Sequence, residues 1–227
     1  MIAVIDYDTG NLRSVANALG RLGAEYRITA SPDEIRSAER VLLPGVGEAS
    51  TAMEKLRERG LVETISSLTQ PVLGICIGVQ LLCRRSEEGD AECIGIFDNE
   101  VRKFTAEGLK VPHMGWNSIG NLRAPLLDGI AEGSYVYYVH SYAPTVNGDT
   151  IATTVYGETF SGAINRGNFF GTQFHPEKSG GINGIKPGRQ TPRLFIMCHV
   201  LHPACTVLQI LPQLLVGRGH DRAAAKQ

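Results

Sequence analysis

Short apolar runs and amphipathic stretches alternate along the first eighty residues. Ile2 to Asp6 is almost continuously apolar, as expected of a strand buried on both faces. Leu12, Val15, Ala16, Leu19 and Leu22 then recur at helical spacing until Gly23, a residue suited to ending a helix. Glu25 to Ile28 alternates like a second strand. Ser31-Pro32-Asp33-Glu34 opens another helix, with a Ser cap, Pro at the first helical position and Glu to complete a capping box. Val41-Leu42-Leu43 is a third strand, and Ala49, Ala52, Met53 and Leu56 share a helical face that Gly60 ends. A fourth strand, Val72 to Ile75, runs through Cys76 into Val79, Leu81 and Leu82, which suit a helix packed back on it. Strands and helices alternating over short connections specify a parallel sheet covered on both faces. In such sheets, ligands bind beyond the carboxyl ends of the strands.

The second half has a different rhythm. Ile94 to Phe97, Val101 to Phe104, Tyr135 to Val139, Ile151 to Tyr156, Ser161 to Arg166 and Asn168 to Phe174 are short and rich in β-branched or aromatic residues. Turns such as Asn147-Gly148-Asp149 and Arg166-Gly167-Asn168 separate several of them, which predicts antiparallel additions to the sheet. The expected fold is α/β, a single domain with a mixed, mostly parallel central sheet flanked by helices.

Two strand ends carry candidate chemistry. Cys76 stands between Gly74 and Gly78 at a predicted strand-to-helix turn, the geometry of a nucleophile elbow with Cys in place of Ser. A helix N-terminus behind Cys76 favours thiolate, and the Ile77 N–H points where an oxyanion forms. Taken alone, the segment equally suits a small, inert, buried cysteine. Pro44-Gly45-Val46-Gly47 follows the neighbouring strand, where two glycines allow backbone N–H groups to face a ligand. Further on, His175-Pro176-Glu177 continues the last apolar run. Residues two apart in an extended chain project to one side, so His175 and Glu177 face one site together. Imidazole takes a proton from a thiol, and a carboxylate orients the imidazole and stabilises its charged form.

Composition narrows the alternatives. The 227 residues are 43% hydrophobic and 20% charged with a formal net charge of −1, ordinary globular values that favour neither nucleic acid nor an anionic membrane as partner. No apolar stretch reaches the roughly 20 residues needed to span a bilayer. With no basic flank or cleavage signal before Ile2, a cytoplasmic location is expected. Five scattered cysteines without a Cys-x-x-Cys pair argue against a disulfide framework. Cys198, His199, His202 and Cys205 fit no zinc spacing, so no metal is expected.

Jointly, Gly74-Ile75-Cys76-Ile77-Gly78-Val79-Gln80 and Gln173-Phe174-His175-Pro176-Glu177 resemble the class I, triad-type glutamine amidotransferases, whose fold is flavodoxin-like. Further segments narrow the likeness. They are Ile5-Asp6-Tyr7 with Gly10-Asn11-Leu12-Arg13-Ser14-Val15, Pro44-Gly45-Val46-Gly47, Met114-Gly115-Trp116-Asn117, Tyr138-Val139-His140-Ser141-Tyr142 and Phe174-His175-Pro176-Glu177-Lys178-Ser179. These look like the glutaminase subunits of imidazole glycerol phosphate synthases, in histidine biosynthesis. The resemblance implies a Cys76-His175-Glu177 triad that hydrolyses glutamine through a glutamyl thioester, without a cofactor. It adds the Val46 N–H to Ile77 as an oxyanion donor and places Gly47, Gln80, Glu88, Ser141 and Tyr142 around the substrate. A carboxylate at Glu88 suits the substrate's α-ammonium. The implied partner is a (β/α)₈-barrel cyclase subunit in a heterodimer, with Asn11, Trp116 and Asn117 as interface candidates; Gly115 and Asn117 favour a loop there. A glutaminase serving another acceptor, in pyridoxal phosphate or purine synthesis, and a non-catalytic scaffold of this fold are the alternatives.

The resemblance covers residues 1 to about 180. From there the family pattern calls for a final amphipathic helix, whereas no Asp or Glu occurs between Glu177 and Asp221 and prolines interrupt the apolar stretch from Leu194 to Val216. The expected division is a glutamine amidotransferase domain over 1–180 and an atypical tail over 181–227, either a lineage-specific extension or the product of a shifted reading frame.

Overall fold

The computed structural model describes residues 1–8, 12–105, 107–123 and 126–179. Asn11 and the tail from 180 onward therefore lie outside the described residues, as does the division of the chain at 180. The first half follows the predicted alternation: β1 (Ile2–Ile5), α1 (Leu12–Arg21), β2 (Tyr26–Thr29), α2 (Pro32–Ser37), β3 (Arg40–Gly45), α3 (Ala49–Glu58), α4 (Leu61–Ser66), β4 (Val72–Cys76) and α5 (Ile77–Leu82). β1, β3 and β4 are buried along their whole length, which is why they read as continuous apolar runs. Ser31 caps α2 by accepting the Glu34 N–H. The reciprocal half of the capping box is absent: the Ser31 N–H donates to Thr29 Oγ1, and the Glu34 carboxylate pairs with Arg27. Helix α4 had no counterpart in the predicted elements. It follows α3 directly after Gly60, whose φ of 63° reverses the chain between the two.

The second half comprises β5 (Arg85–Ser86), a single 3₁₀ turn at Glu88–Asp90, β6 (Ala91–Glu92), β7 (Glu100–Lys103), β8 (His113–Ser118), β9 (Tyr135–His140), β10 (Tyr142–Pro144), β11 (Thr150–Tyr156), β12 (Glu158–Arg166) and β13 (Phe169–Thr172). Seven strands form the central sheet in the order β11-β12-β13-β4-β3-β1-β2. The run from β13 to β2 is parallel, and β12 and β11 add antiparallel strands at one edge.

The prediction that all later strands extend this sheet is corrected at β7 and β9. β7 belongs to a separate four-stranded sheet, β10-β7-β5-β6, and β9 pairs only with β8. Ile94 to Phe97 is not a strand. Its N–H groups go to the end of α5, from Ile94 to Leu81 O, Gly95 to Cys83 O and Phe97 to Leu82 O. Those carbonyls have no partner within a helix, so the apolar segment closes the helix end instead of pairing in a sheet. The expected loop at Met114 to Asn117 is a strand, held by six paired positions along β9.

Candidate active site

Cys76 ends β4 and immediately precedes α5, with φ 56° and ψ −112° and a side chain 4% exposed. A positive φ at a non-glycine residue is strained, at a cost of about 1–3 kcal/mol. It persists because the surrounding backbone leaves no room for another path. A Cβ on Gly78 would lie 1.8 Å from Leu43 O, and one on Gly74 would lie 2.7 Å from Gly78 O. On the other side, a Cβ on Gly171 would meet Val79 Cγ2 at 2.1 Å. α5 thus rests main chain against main chain on β3 and β4, and its Val79 fills the space over Gly171 of β13. The sharp strand-to-helix turn expected at Cys76 is present.

β13 ends at Thr172, two residues short of the predicted strand end, and His175 to Lys178 form a turn closed by Lys178 N–H donating to His175 O. Pro176 occupies the second position of that turn, where its fixed φ is favoured. His175 and Glu177 still meet as expected, through a turn instead of an extended chain: His175 Nδ1 lies 2.9 Å from Glu177 Oε1, both residues buried. Glu177 Oε2 is buried with no hydrogen-bond partner among the described residues. Burial opposes charge on the His175 ring, but the hydrogen bonds and charges of Cys76 and Glu177 outweigh it and push the ring's pKa up to about 9.

The register sets Gly45 of β3 beside Cys76 of β4. Val46 and Gly47, both exposed, continue the chain past Cys76, and Gly47 has φ 93°. Ile77 is the first residue of α5, so its N–H has no acceptor within the helix. Gln80 is buried in α5. Its Nε2 donates to Tyr142 O at 3.0 Å and Gln173 Oε1 at 2.9 Å, while its Oε1 is unpaired. Tyr142 therefore sits against the helix that follows Cys76, with Ser141 adjoining it in the chain. Glu88 is half-buried and accepts the Ala49 N–H at 3.0 Å, capping α3 next to Gly47. Burial raises its pKa, with the Ala49 hydrogen bond acting against that.

Gln173 and Ser179 had been given no role. Gln173 Nε2 lies 3.8 Å from Cys76 Sγ, and Ser179 Oγ accepts the Tyr137 N–H while donating to His175 O. The available signal was their place in the motif around His175. The β9 backbone borders the site directly: Tyr137 O accepts the His175 N–H at 2.9 Å, and Val139 O is 4.0 Å from Cys76 Sγ. The outer side of the β8–β9 ribbon leaves Met114 and Tyr135 each 63% exposed and Trp116 37% exposed. Asn117 uses its amide inside the chain, bonding Val155 O and the ring of His113. No cluster of metal-binding side chains occurs among the described residues.

The glutamine amidotransferase class-I family model matches residues 3–191. The chain belongs to this family. Its fold agrees: a solved glutamine amidotransferase superposes with a TM-score of 0.64 at 15% identity, covering 88% of this chain and 99% of that one. The structure of PurLQS from Thermotoga maritima gives 0.63 at 17%, covering 86% and 96%. Much nearer in sequence are proteins named imidazole glycerol phosphate synthase subunit HisH. That of Bacteroides thetaiotaomicron is 49% identical over 197 residues, 86% of this chain and 98% of the relative. That of Escherichia coli is 48% identical over 184 residues, 79% and 92%. A class-I glutamine amidotransferase with a cysteine on a strained elbow and a buried His-Glu pair beside it is equipped for hydrolysis of an amide.

Proposed function

We propose that this chain is the glutaminase subunit of an imidazole glycerol phosphate synthase. It hydrolyses glutamine to glutamate and supplies the ammonia to a cyclase subunit that forms imidazole glycerol phosphate and the aminoimidazole carboxamide ribonucleotide. The observation that carries the reading is the pairing of Cys76 with a buried His175–Glu177 couple at the end of the central sheet. The near-half identity to proteins named for that synthase supports the choice of acceptor.

In this reading, Cys76 passes its proton to His175 before the attack, and the thiolate Sγ adds to the side-chain carbonyl of glutamine while the imidazolium stays beside it. The tetrahedral oxyanion is met by the Ile77 N–H and the Val46 N–H, each such donor lowering the barrier by about 2.7–4 kcal/mol. Collapse breaks the C–N bond as His175 returns the proton to the departing nitrogen, leaving a glutamyl thioester. Water then attacks with His175 as base, and glutamate leaves while Cys76 recovers its proton. Glu177 holds the imidazole and balances its charge. Gly47, Gln80, Ser141 and Tyr142 frame the substrate, and Glu88, beside Gly47, takes its α-ammonium.

The exposed Met114, Trp116 and Tyr135 on the β8–β9 ribbon form the docking surface for the (β/α)₈-barrel cyclase, with Asn11 a further candidate. Aromatic anchors of this kind dominate interface energetics. Glutamate release from glutamine, measured with and without the cyclase subunit and its nucleotide ligand, tests the whole reading. Cys76→Ala is expected to abolish release. Release that ignores the cyclase would assign another acceptor, and none under any condition would leave a scaffold.

A further inference from the structure

Behind the active site, His113 and His140 face one another across β8 and β9. Their rings are buried among Tyr138, Tyr156, Phe104 and Phe160: His113 stacks on Tyr156 at 3.9 Å and Tyr138 at 4.8 Å, and His140 lies 5.2–5.3 Å from Phe160 and Phe104. The hydrogen bonds admit one consistent proton assignment. His140 Nδ1 is 2.8 Å from Tyr142 O, which only accepts, so Nδ1 carries the proton. Burial lowers the pKa of both rings, to about 3 for His140 and about 4 for His113, so both are neutral and His140 Nε2 is an acceptor. His113 Nδ1, 3.2 Å away, is therefore the donor to it. His113 Nε2 in turn accepts from Asn117 Nδ2 at 3.3 Å, and the second Asn117 N–H goes to Val155 O at 3.0 Å.

The series ends at the Tyr142 carbonyl, which receives a second bond from Gln80. Gln80's other N–H holds Gln173 Oε1, and this directs the Gln173 amide to Cys76 Sγ. We propose that His140, its tautomer set by His113 and Asn117, is a positioning residue that fixes the Ser141–Tyr142 segment and, through the shared Tyr142 carbonyl, the Gln80–Gln173 amide pair against the nucleophile. The inference rests on the glutaminase reading and deepens it: it names a residue that touches neither substrate nor nucleophile yet sets the shape of the glutamine site. A core histidine kept only for packing would not need a directed donor series ending on a substrate-framing backbone.

The test uses the chain assembled with its cyclase partner. Kinetics of glutamate release for the wild type, His140→Phe and His140→Asn are compared alongside thermal midpoints. Asn keeps an N–H close to the place of Nδ1, whereas Phe keeps only the apolar volume. His140→Phe is expected to raise the KM for glutamine about tenfold, the scale of one lost hydrogen bond, with a smaller effect on kcat. His140→Asn is expected to return KM to within about twofold of wild type. In ¹⁵N spectra of the wild type, His140 is expected to show the neutral Nδ1–H tautomer across pH 6–8. An unchanged KM in His140→Phe, equal KM defects in Phe and Asn, or an Nε2–H tautomer at His140 each overturn the proposal while the wild type still turns over. A wild type that releases no glutamate overturns the glutaminase reading itself.

Discussion

Two buried histidine sites adjoin β9, and one favours the charged ring while the other keeps its rings neutral. His175 sits beside Cys76 and a carboxylate, and its pKa rises to about 9. His113 and His140 sit among aromatic rings with one another, an amide and a carbonyl for company, and theirs fall to about 4 and about 3. Burial acts in the same direction on all three, against the cation. The difference lies in the partner. The Cys76 sulfur and the Glu177 carboxylate together reverse the effect of desolvation at His175, and a neutral acceptor leaves it standing at His140. One fold thereby keeps an imidazole whose partners favour its charged form close to imidazoles whose surroundings favour the neutral form.

The most severe way to break the contrast is to neutralise the carboxylate. Glu177→Gln is expected to lower kcat by about 10²–10⁴, the scale of losing the carboxylate that orients a catalytic imidazole. It should also move the alkaline limb of the pH–rate profile from near 9 toward lower pH, because His175 loses the charge that balances its own. A limb that stays near 9 in Glu177→Gln would show that Glu177 does not govern the His175 proton.

Stability should separate the two sites by pH. The raised value at His175 stabilises the fold fully below the unfolded histidine pKa of about 6.5, and this is lost as pH climbs through about 9. The lowered values at His113 and His140 act oppositely: their contribution is complete above about 6.5 and declines as pH falls toward 4 and 3. Denaturant midpoints across pH 4–10 are expected to fall at both ends. In His140→Phe the acid-side fall should shrink while the alkaline side is unchanged.

The elbow offers two smaller tests. Gly78→Ala drives a methyl group into the Leu43 carbonyl and is expected to destabilise the protein by at least about 1–3 kcal/mol by chemical denaturation. Cys76→Gly removes the strain of a positive φ and should stabilise by about 1 kcal/mol while ending turnover. A destabilised Cys76→Gly would mean that Cys76 packing outweighs its backbone strain.

Much of this was legible in the residues themselves. β1, β3 and β4 announced themselves because strands buried on both faces are unbroken apolar runs. The segments around Cys76 and His175 carried local marks, bracketing glycines and a proline, that were ambiguous singly and became candidates for one site only through their joint resemblance to a family. What stayed hidden depends on distant pairing. Residues 113–118 contain Gly115 and two residues with large exposed side chains, and they become a strand only because β9 lies alongside. The His113–His140 pair joins positions 27 residues apart, and no local pattern predicts which nitrogen bears the proton. Ile94 to Phe97 misled for a related reason: its N–H groups serve the end of α5, a need that the segment's own composition does not reveal.

The glycines beneath α5 also bear on how this enzyme tolerates change. Because Gly74 and Gly78 let backbone rest on backbone, the place of the Cys76 sulfur is set by the main chain and owes little to how neighbouring side chains interlock. Core residues such as Leu42, Leu56 or Ile65 can then be exchanged for others of similar volume, at a modest cost in stability, without shifting the sulfur. The glycines themselves have no such freedom. Redesign of this scaffold has wide latitude in its interior and almost none along one short line of contact.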